Sequence, residues 1–221
     1  MGAELGTTGI QGLTYYIKSA TVKAIAILSG YVDSTVASAS FTITTSGTPV
    51  VWIDQVGVSV EGDALIKTTA TGWGNSGAAS EQAFPGDGAV EFTAVGTDTY
   101  RMLGLSNSNA SASYDSIGYA ILTHIDGTLS VFENGADRGL FGSYQNGDVL
   151  RVERTGSTVI YKRNGGIIYT STIPSTDPML ADAALYDPSA QLNNVRIIGL
   201  TTPASAECRS LLRTQTAAVC N

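Results

Sequence analysis

The chain has 221 residues, enough for one domain of about 150 residues and a smaller piece, with 12 Lys and Arg against 19 Asp and Glu for a net charge of -7. Charged residues make up 14% and hydrophobic ones 43%, which excludes a disordered chain, and the acidic surplus excludes a basic footprint for nucleic acid or an anionic membrane surface. One histidine and two cysteines leave little room for metal or nucleophile chemistry built on those residues.

In chain order, the opening run MGAELGTTG has no positive segment and no apolar core, so it does not read as a secretory signal. No apolar run is long enough for a membrane-spanning helix, and no membrane insertion is expected. Residues 1–45 read as a partial small β module ending in the strand-like run Ala37 to Ile43, and TTSGTP at residues 44–49 reads as a linker. Residues 46–200 carry the main domain. Residues 201–221 form a tail that holds both cysteines, Cys208 and Cys220, as free thiols or as a small closed loop.

The main domain is punctuated by turn dipeptides: Asp126-Gly127, Asn134-Gly135, Asn146-Gly147, Thr155-Gly156 and Asn164-Gly165. Between them lie short runs rich in Val, Ile, Thr and Tyr, which suit a pleated surface, and no sustained helical periodicity appears. Two-residue turns at these sites set the registers. Asp126-Gly127 pairs His124 with Leu129, Leu122 with Val131 and Ile121 with Phe132. Thr155-Gly156 pairs Val152 with Val159 and Leu150 with Tyr161, and Asn164-Gly165 sets Ile168 beside Tyr161. Leu150, Val152, Val159, Tyr161 and Ile168 then share one face, with Arg151, Glu153 and Lys162 on the other. A meander with one apolar face needs a second sheet to cover it. The expected fold is all-β, a two-sheet antiparallel β-sandwich of jelly-roll type.

Two resemblances rest on particular residues. The run ATVKAIAILSGYVDS at 20–34, closing with ASASFTI at 37–43, resembles the end of a chitobiase/β-hexosaminidase C-terminal-type module, a small β-sandwich repeat of secreted bacterial proteins. The family's front half is missing. Residues 84–200 are similar to the concanavalin-A-like, SPRY/LamG-like sandwich modules of large bacterial surface proteins, through YRMLGLS at 100–106, GTLSVFENG at 127–135, GDVLRV at 147–152 and VIYKRNG at 159–165. These likenesses imply an extracellular or cell-surface location within a longer bacterial protein, and a partner such as a polysaccharide or cell-surface glycan.

Chemical candidates follow from residue type. His124 has Asp126 two residues on, but that aspartate reads as a turn former, no G-x-S-x-G elbow exists, and the imidazole reads as half-buried over Leu129. No metal site is expected; the loop from Asn107, Ser108 and Asn109 to Asp115 offers hard oxygen atoms for calcium but lacks EF-hand spacing. No other cofactor is expected, since phosphate-binding glycine motifs are absent. A glycosidase would need two facing carboxyl groups. Glu61-Gly62-Asp63 begins an E-x-D-x-x-E pattern that fails at Ile66, which leaves Glu91, Glu133 and Glu153 as acids for a cross-strand pair.

Aromatic platforms are the more natural functional reading, because sugar rings present apolar C–H faces that stack on Trp or Tyr. Trp73 lies in TGWGNSG, too glycine-rich for a core strand, and Tyr114, Asp115, Tyr144 and Tyr186 fall at strand ends. The expected function is a non-catalytic carbohydrate-binding or adhesion module. The alternatives are a glycoside hydrolase using a cross-strand carboxylate pair and a structural spacer of an adhesin.

Overall fold

In a computed structural model of the chain, the described residues are 19–24, 29–30, 32, 37–42, 47–176 and 178–199. The chain divides between Ser46 and Gly47 into two compact units. In the first, strand β1 (Ser19–Ala24) pairs antiparallel with β2 (Ala37–Thr42). Residues 25–28, 31, 33–36 and 43 of the chitobiase-type resemblance lie outside the described residues, as does the tail 201–221 with Cys208 and Cys220.

The second unit is built from short strands with turns between them. In order they are β3 (Thr48–Pro49), β4 (Trp52–Val56), β5 (Val58–Glu61), β6 (Ala64–Lys67), β7 (Gly77–Phe84), β8 (Gly88–Thr93) and β9 (Arg101–Ser106). After a 3-10 turn at Tyr114–Ser116 come β10 (Tyr119–Thr123), β11 (Thr128–Glu133), β12 (Ala136–Ser143), β13 (Val149–Thr155) and β14 (Thr158–Arg163). The last are β15 (Gly166–Thr170), β16 (Met179–Leu185) and β17 (Gln191–Ile198). One sheet has seven strands in the order β12-β11-β10-β9-β16-β7-β4. The other has eight, β15-β14-β13-β8-β17-β6-β5, with β3 added on β17. All pairings are antiparallel, and the fold is an all-β two-sheet sandwich.

Alternation along each strand decides what lies between the sheets. Leu103 and Leu105 of β9, Ile121 of β10, Leu129 and Val131 of β11, and Ala181 and Ala183 of β16 face Val90, Phe92, Leu150, Val152, Val159 and Tyr161 across one continuous core. Each of the larger side chains there stabilises the fold by about 1.5–3 kcal/mol through burial alone. On the outer face of the eight-stranded sheet, Arg151 bridges Glu153 at 2.9 Å and Glu91 at 3.6 Å, and Lys162 reaches Glu153 at 2.7 Å. The division of β13 and β14 into an apolar and a charged face is as the alternation predicts.

Several expected details are corrected. The first hairpin turns through three residues, Ile125 to Gly127, with Gly127 at φ 76°, the position where a three-residue loop needs a left-handed residue. Leu122 therefore faces Ser130 and Ile121 faces Val131, one residue from the expected register. The second turns at Gly156-Ser157, so Val152 pairs with Tyr161 and Arg154 with Val159. Arg154 is tolerated on the apolar face because it sits near the strand end and its guanidinium donates to the Gly86 carbonyl at 3.0 Å. Asn164-Gly165 turns as expected, both residues at positive φ. A bulge then brings Tyr169, not Ile168, opposite Tyr161. Finally, Gly47 to Pro49 is not linker: Gly47 is buried, and Thr48 and Pro49 pair with Ile197 and Arg196.

Candidate functional site

A second apolar cluster lies on the outer face of the seven-stranded sheet, where a sandwich ordinarily presents polar residues. Even-numbered positions face outward there: Met102 of β9, Ala120 and Leu122 of β10, Phe132 of β11 and Ala184 of β16. Tyr100, His124 and Tyr186 continue the same parity just beyond the ends of β9, β10 and β16. Two loops complete the cluster, one between β6 and β7 that brings Trp73, the other between β9 and β10 that brings Tyr114 and Ile117.

The rings form an unbroken row. From Phe132 it runs to Tyr114 at 5.8 Å between centroids, to Trp73 at 5.1 Å, to Tyr186 at 5.1 Å, to Tyr100 at 5.8 Å and to His124 at 5.4 Å. All lie within the range where aromatic pairs attract beyond simple burial. Beside Trp73 an open groove of about 320 Å³ is lined by Trp73, Tyr100, Leu122 and Tyr186. Trp73, Tyr100, Tyr114 and Tyr186 are all half-buried, packed on one side and open on the other. His124 Nε2 lies 2.8 Å from Ser130 Oγ, but Ser130 is 1% exposed, so the pair offers no accessible nucleophile.

One buried cation holds this arrangement. Lys67 is 2% exposed, and its ammonium donates to the Gly72 carbonyl at 2.9 Å, Asn75 Oδ1 at 2.5 Å and the Leu185 carbonyl at 3.0 Å. Two of these acceptors belong to the Trp73 loop, and the third immediately precedes Tyr186. The Gly72 N–H also donates to the Tyr186 carbonyl at 3.0 Å. Burial pushes the Lys67 ammonium below the ordinary lysine value, with Asp187 opposing the shift. Lys67→Met keeps most of the stem and removes all three donors. It is expected to cost about 3 kcal/mol and to raise acrylamide quenching of tryptophan. Trp52 is 8% exposed, so Trp73 dominates the quenchable signal of the two tryptophans. Unchanged quenching would mean that the loop holds itself.

The sequence-predicted residues divide clearly. Trp73, Tyr114 and Tyr186 come together, and Asp115 is exposed in the 3-10 turn beside Tyr114. Tyr144 does not join them: it is 2% exposed in the main core, with its hydroxyl on the His124 carbonyl at 3.1 Å, and it presents no ring face to a ligand. The three glutamates are not brought together as a set. Glu91 and Glu153 flank Arg151 on the outer face of the eight-stranded sheet. Glu133 is wholly buried on the inner face of the other sheet, accepting from Tyr161 Oη at 3.0 Å and Arg138 Nε at 2.9 Å. Burial and the neighbouring carboxylate push the Tyr161 hydroxyl well above its ordinary value.

In the loop considered for calcium, the Asn107 amide donates to the Thr176 and Pro178 carbonyls and the Asn109 amide to Asp54. Among the described residues no group of three or more His, Cys, Asp or Glu could hold a metal ion, and no helix is long and apolar enough to cross a membrane. Tyr100, Leu122 and Phe132 were not singled out as ligand residues by sequence reasoning, and His124 was weighed only as a catalytic base or a half-buried imidazole; their signal is the shared even numbering on neighbouring strands.

No family model matches the chain, and no curated protein matches it. It is similar to solved structures that include the carbohydrate recognition domain of Emp47p, with 12% identity, 71% of this chain and 96% of that one covered, and a TM-score of 0.46. Others are the carbohydrate binding module CBM66 from Bacillus subtilis (11% identity, 71% and 99% covered, TM-score 0.45) and the SPRY domain of human HERC1 (13%, 66% and 94%, TM-score 0.47).

Proposed function

We propose that residues 47–199 form a non-catalytic carbohydrate-binding module, with the groove at Trp73 as the sugar site. The row of rings on the outer sheet face, open along one side, carries this reading. A pyranose buries its C–H face on a half-exposed indole or phenol, and its hydroxyls need polar neighbours, for which the lining residues Tyr100 and Tyr186 each carry a hydroxyl group. Against the hydrolase alternative, Glu91 and Glu153 are both tied up as ion-pair partners of Arg151, and Glu133 is sealed in the core. We further propose that the module belongs to a secreted bacterial multidomain protein, follows the end of a chitobiase-type module, and serves adhesion to polysaccharides or cell-surface glycans.

The test is a pull-down of the full chain on a panel of polysaccharides, with the supernatant assayed for released sugar. Depletion of the protein without released sugar is the expected result. Released sugar that persists through repurification would overturn the non-catalytic reading. Absence of retention on every member of a broad panel would overturn the binding reading.

A further inference from the structure

We infer that the groove accepts uncharged pyranosides and discriminates against uronic and sialic acids; this inference rests on the glycan-binding reading above. Recognition of a sugar carboxylate needs a guanidinium, an ammonium or a cluster of free N–H donors aimed at it. The groove is walled by Trp73, Tyr100, Leu122 and Tyr186: one indole, two phenols and an alkyl side chain, with no guanidinium or ammonium among them.

The cations of the surrounding sheet are committed elsewhere. The strands of the seven-stranded sheet contain two, Arg101 and Arg138. Arg101 is 1% exposed and donates to Thr123 Oγ1 at 3.1 Å, the Gln191 carbonyl at 3.0 Å and the Gly96 carbonyl at 2.8 Å. Arg138 lies on the edge strand β12, paired with Glu133. Lys67, the cation bonded to the Trp73 loop, has its three N–H groups on three oxygen acceptors. His124, at the end of the ring row, has Nε2 against Ser130 Oγ.

The acids have the opposite distribution. Asp115 is exposed next to Tyr114, and Asp187 follows Tyr186 with Oδ2 accepting the Tyr100 N–H at 2.7 Å. The chain as a whole carries a net charge of -7. An incoming carboxylate would lose hydration and find no cation among the groove's lining residues, whereas a hydroxyl-only sugar carries no such penalty.

The experiment is affinity electrophoresis of the full chain at pH 8 in matched pairs of polymers: galactan against polygalacturonate, mannan against alginate, and a neutral β-glucan against polysialic acid. The expected result is retardation by at least one neutral polymer, at least tenfold weaker retardation by its acidic counterpart, and little change for the neutral polymer between 20 and 200 mM salt. Retention of an acidic polymer equal to or tighter than its neutral counterpart, and lost on Trp73→Ala, would overturn the inference while leaving the groove a glycan site. Retardation by neither class would overturn the glycan-binding reading itself, and the inference with it.

Discussion

With alanine in place of Trp73, affinity for the polysaccharide that retains the parent protein is expected to fall at least about 30-fold, equivalent to roughly 2 kcal/mol or more. The indole is the third of the six rings in the row, 5.1 Å from both Tyr114 and Tyr186, so its removal takes away the largest stacking surface and the support of two others. The fold is expected to survive. Trp73 belongs to the small outer cluster and not to the main core, and the loss should be about 1–2 kcal/mol. Tyr144→Phe is the matching control, since it deletes one buried hydroxyl bonded to the His124 carbonyl and touches no ring of the row. That variant should lose about 1 kcal/mol of stability and bind as the parent does. Isothermal titration and urea unfolding on both variants separate the two effects. Equal affinity for parent and Trp73→Ala would remove the indole from the site.

The second large effect is a decline in stability as pH rises from about 4 to about 7, a decline that is lost in Asp182→Asn. Asp182 is 1% exposed beneath the outer face of the seven-stranded sheet, and burial pushes its carboxyl up to about 7 from an ordinary 3.8. The Ser106 hydroxyl at 2.8 Å and the Ala183 N–H oppose that shift without cancelling it. Below pH 3.8 folded and unfolded chains both hold the proton, and Asp182 contributes no slope. Between 3.8 and 7 the folded chain binds more protons than the unfolded one, so stability falls as pH rises. Above 7 the cost is constant, on the order of 4 kcal/mol. Asparagine keeps the size and removes the charge, so the variant should gain most over the parent at pH 8 and little at pH 4. Urea midpoints for both proteins at pH 4, 6 and 8 measure the difference directly. Parallel curves would place the carboxyl outside the titration.

How much of this was legible in the sequence depends on parity. In β13 and β14 the corrected register moved each pair by an even step, so Leu150, Val152, Val159 and Tyr161 kept the core face that alternation gave them. The hairpin of β10 and β11 slipped by one residue instead. A two-residue turn at Asp126-Gly127 sets Leu122 and His124 against Val131 and Leu129, core residues both, and so points the imidazole inward. The three-residue turn sets Leu122 opposite Ser130 and sends Leu122 and His124 to the outer face, where the ring row lies. The same slip hid Phe132 as a member of that face. Trp73, Tyr114 and Tyr186 were legible because glycine-rich loops and strand ends mark themselves in composition, whereas the burial of Tyr144 depends on a tertiary contact with His124 that no local pattern encodes. The Lys67 clamp was equally hidden, since two of its acceptors are backbone carbonyls and one of them lies 118 residues away.

The pairing of β3 with β17 has a mechanical consequence. Thr48 lies opposite Ile197 and Pro49 opposite Arg196, so the polypeptide enters and leaves the sandwich side by side on antiparallel neighbours. Tension applied through residues 47 and 199 would load these contacts in sequence, as a zipper opens, rather than shearing a whole row at once. The Arg196 bond to the Gly47 carbonyl would be among the first to part, and the Val50 bond to the Val195 carbonyl would come later. Such a unit can present a face to a surface, yet it makes a compliant tether and a poor strut.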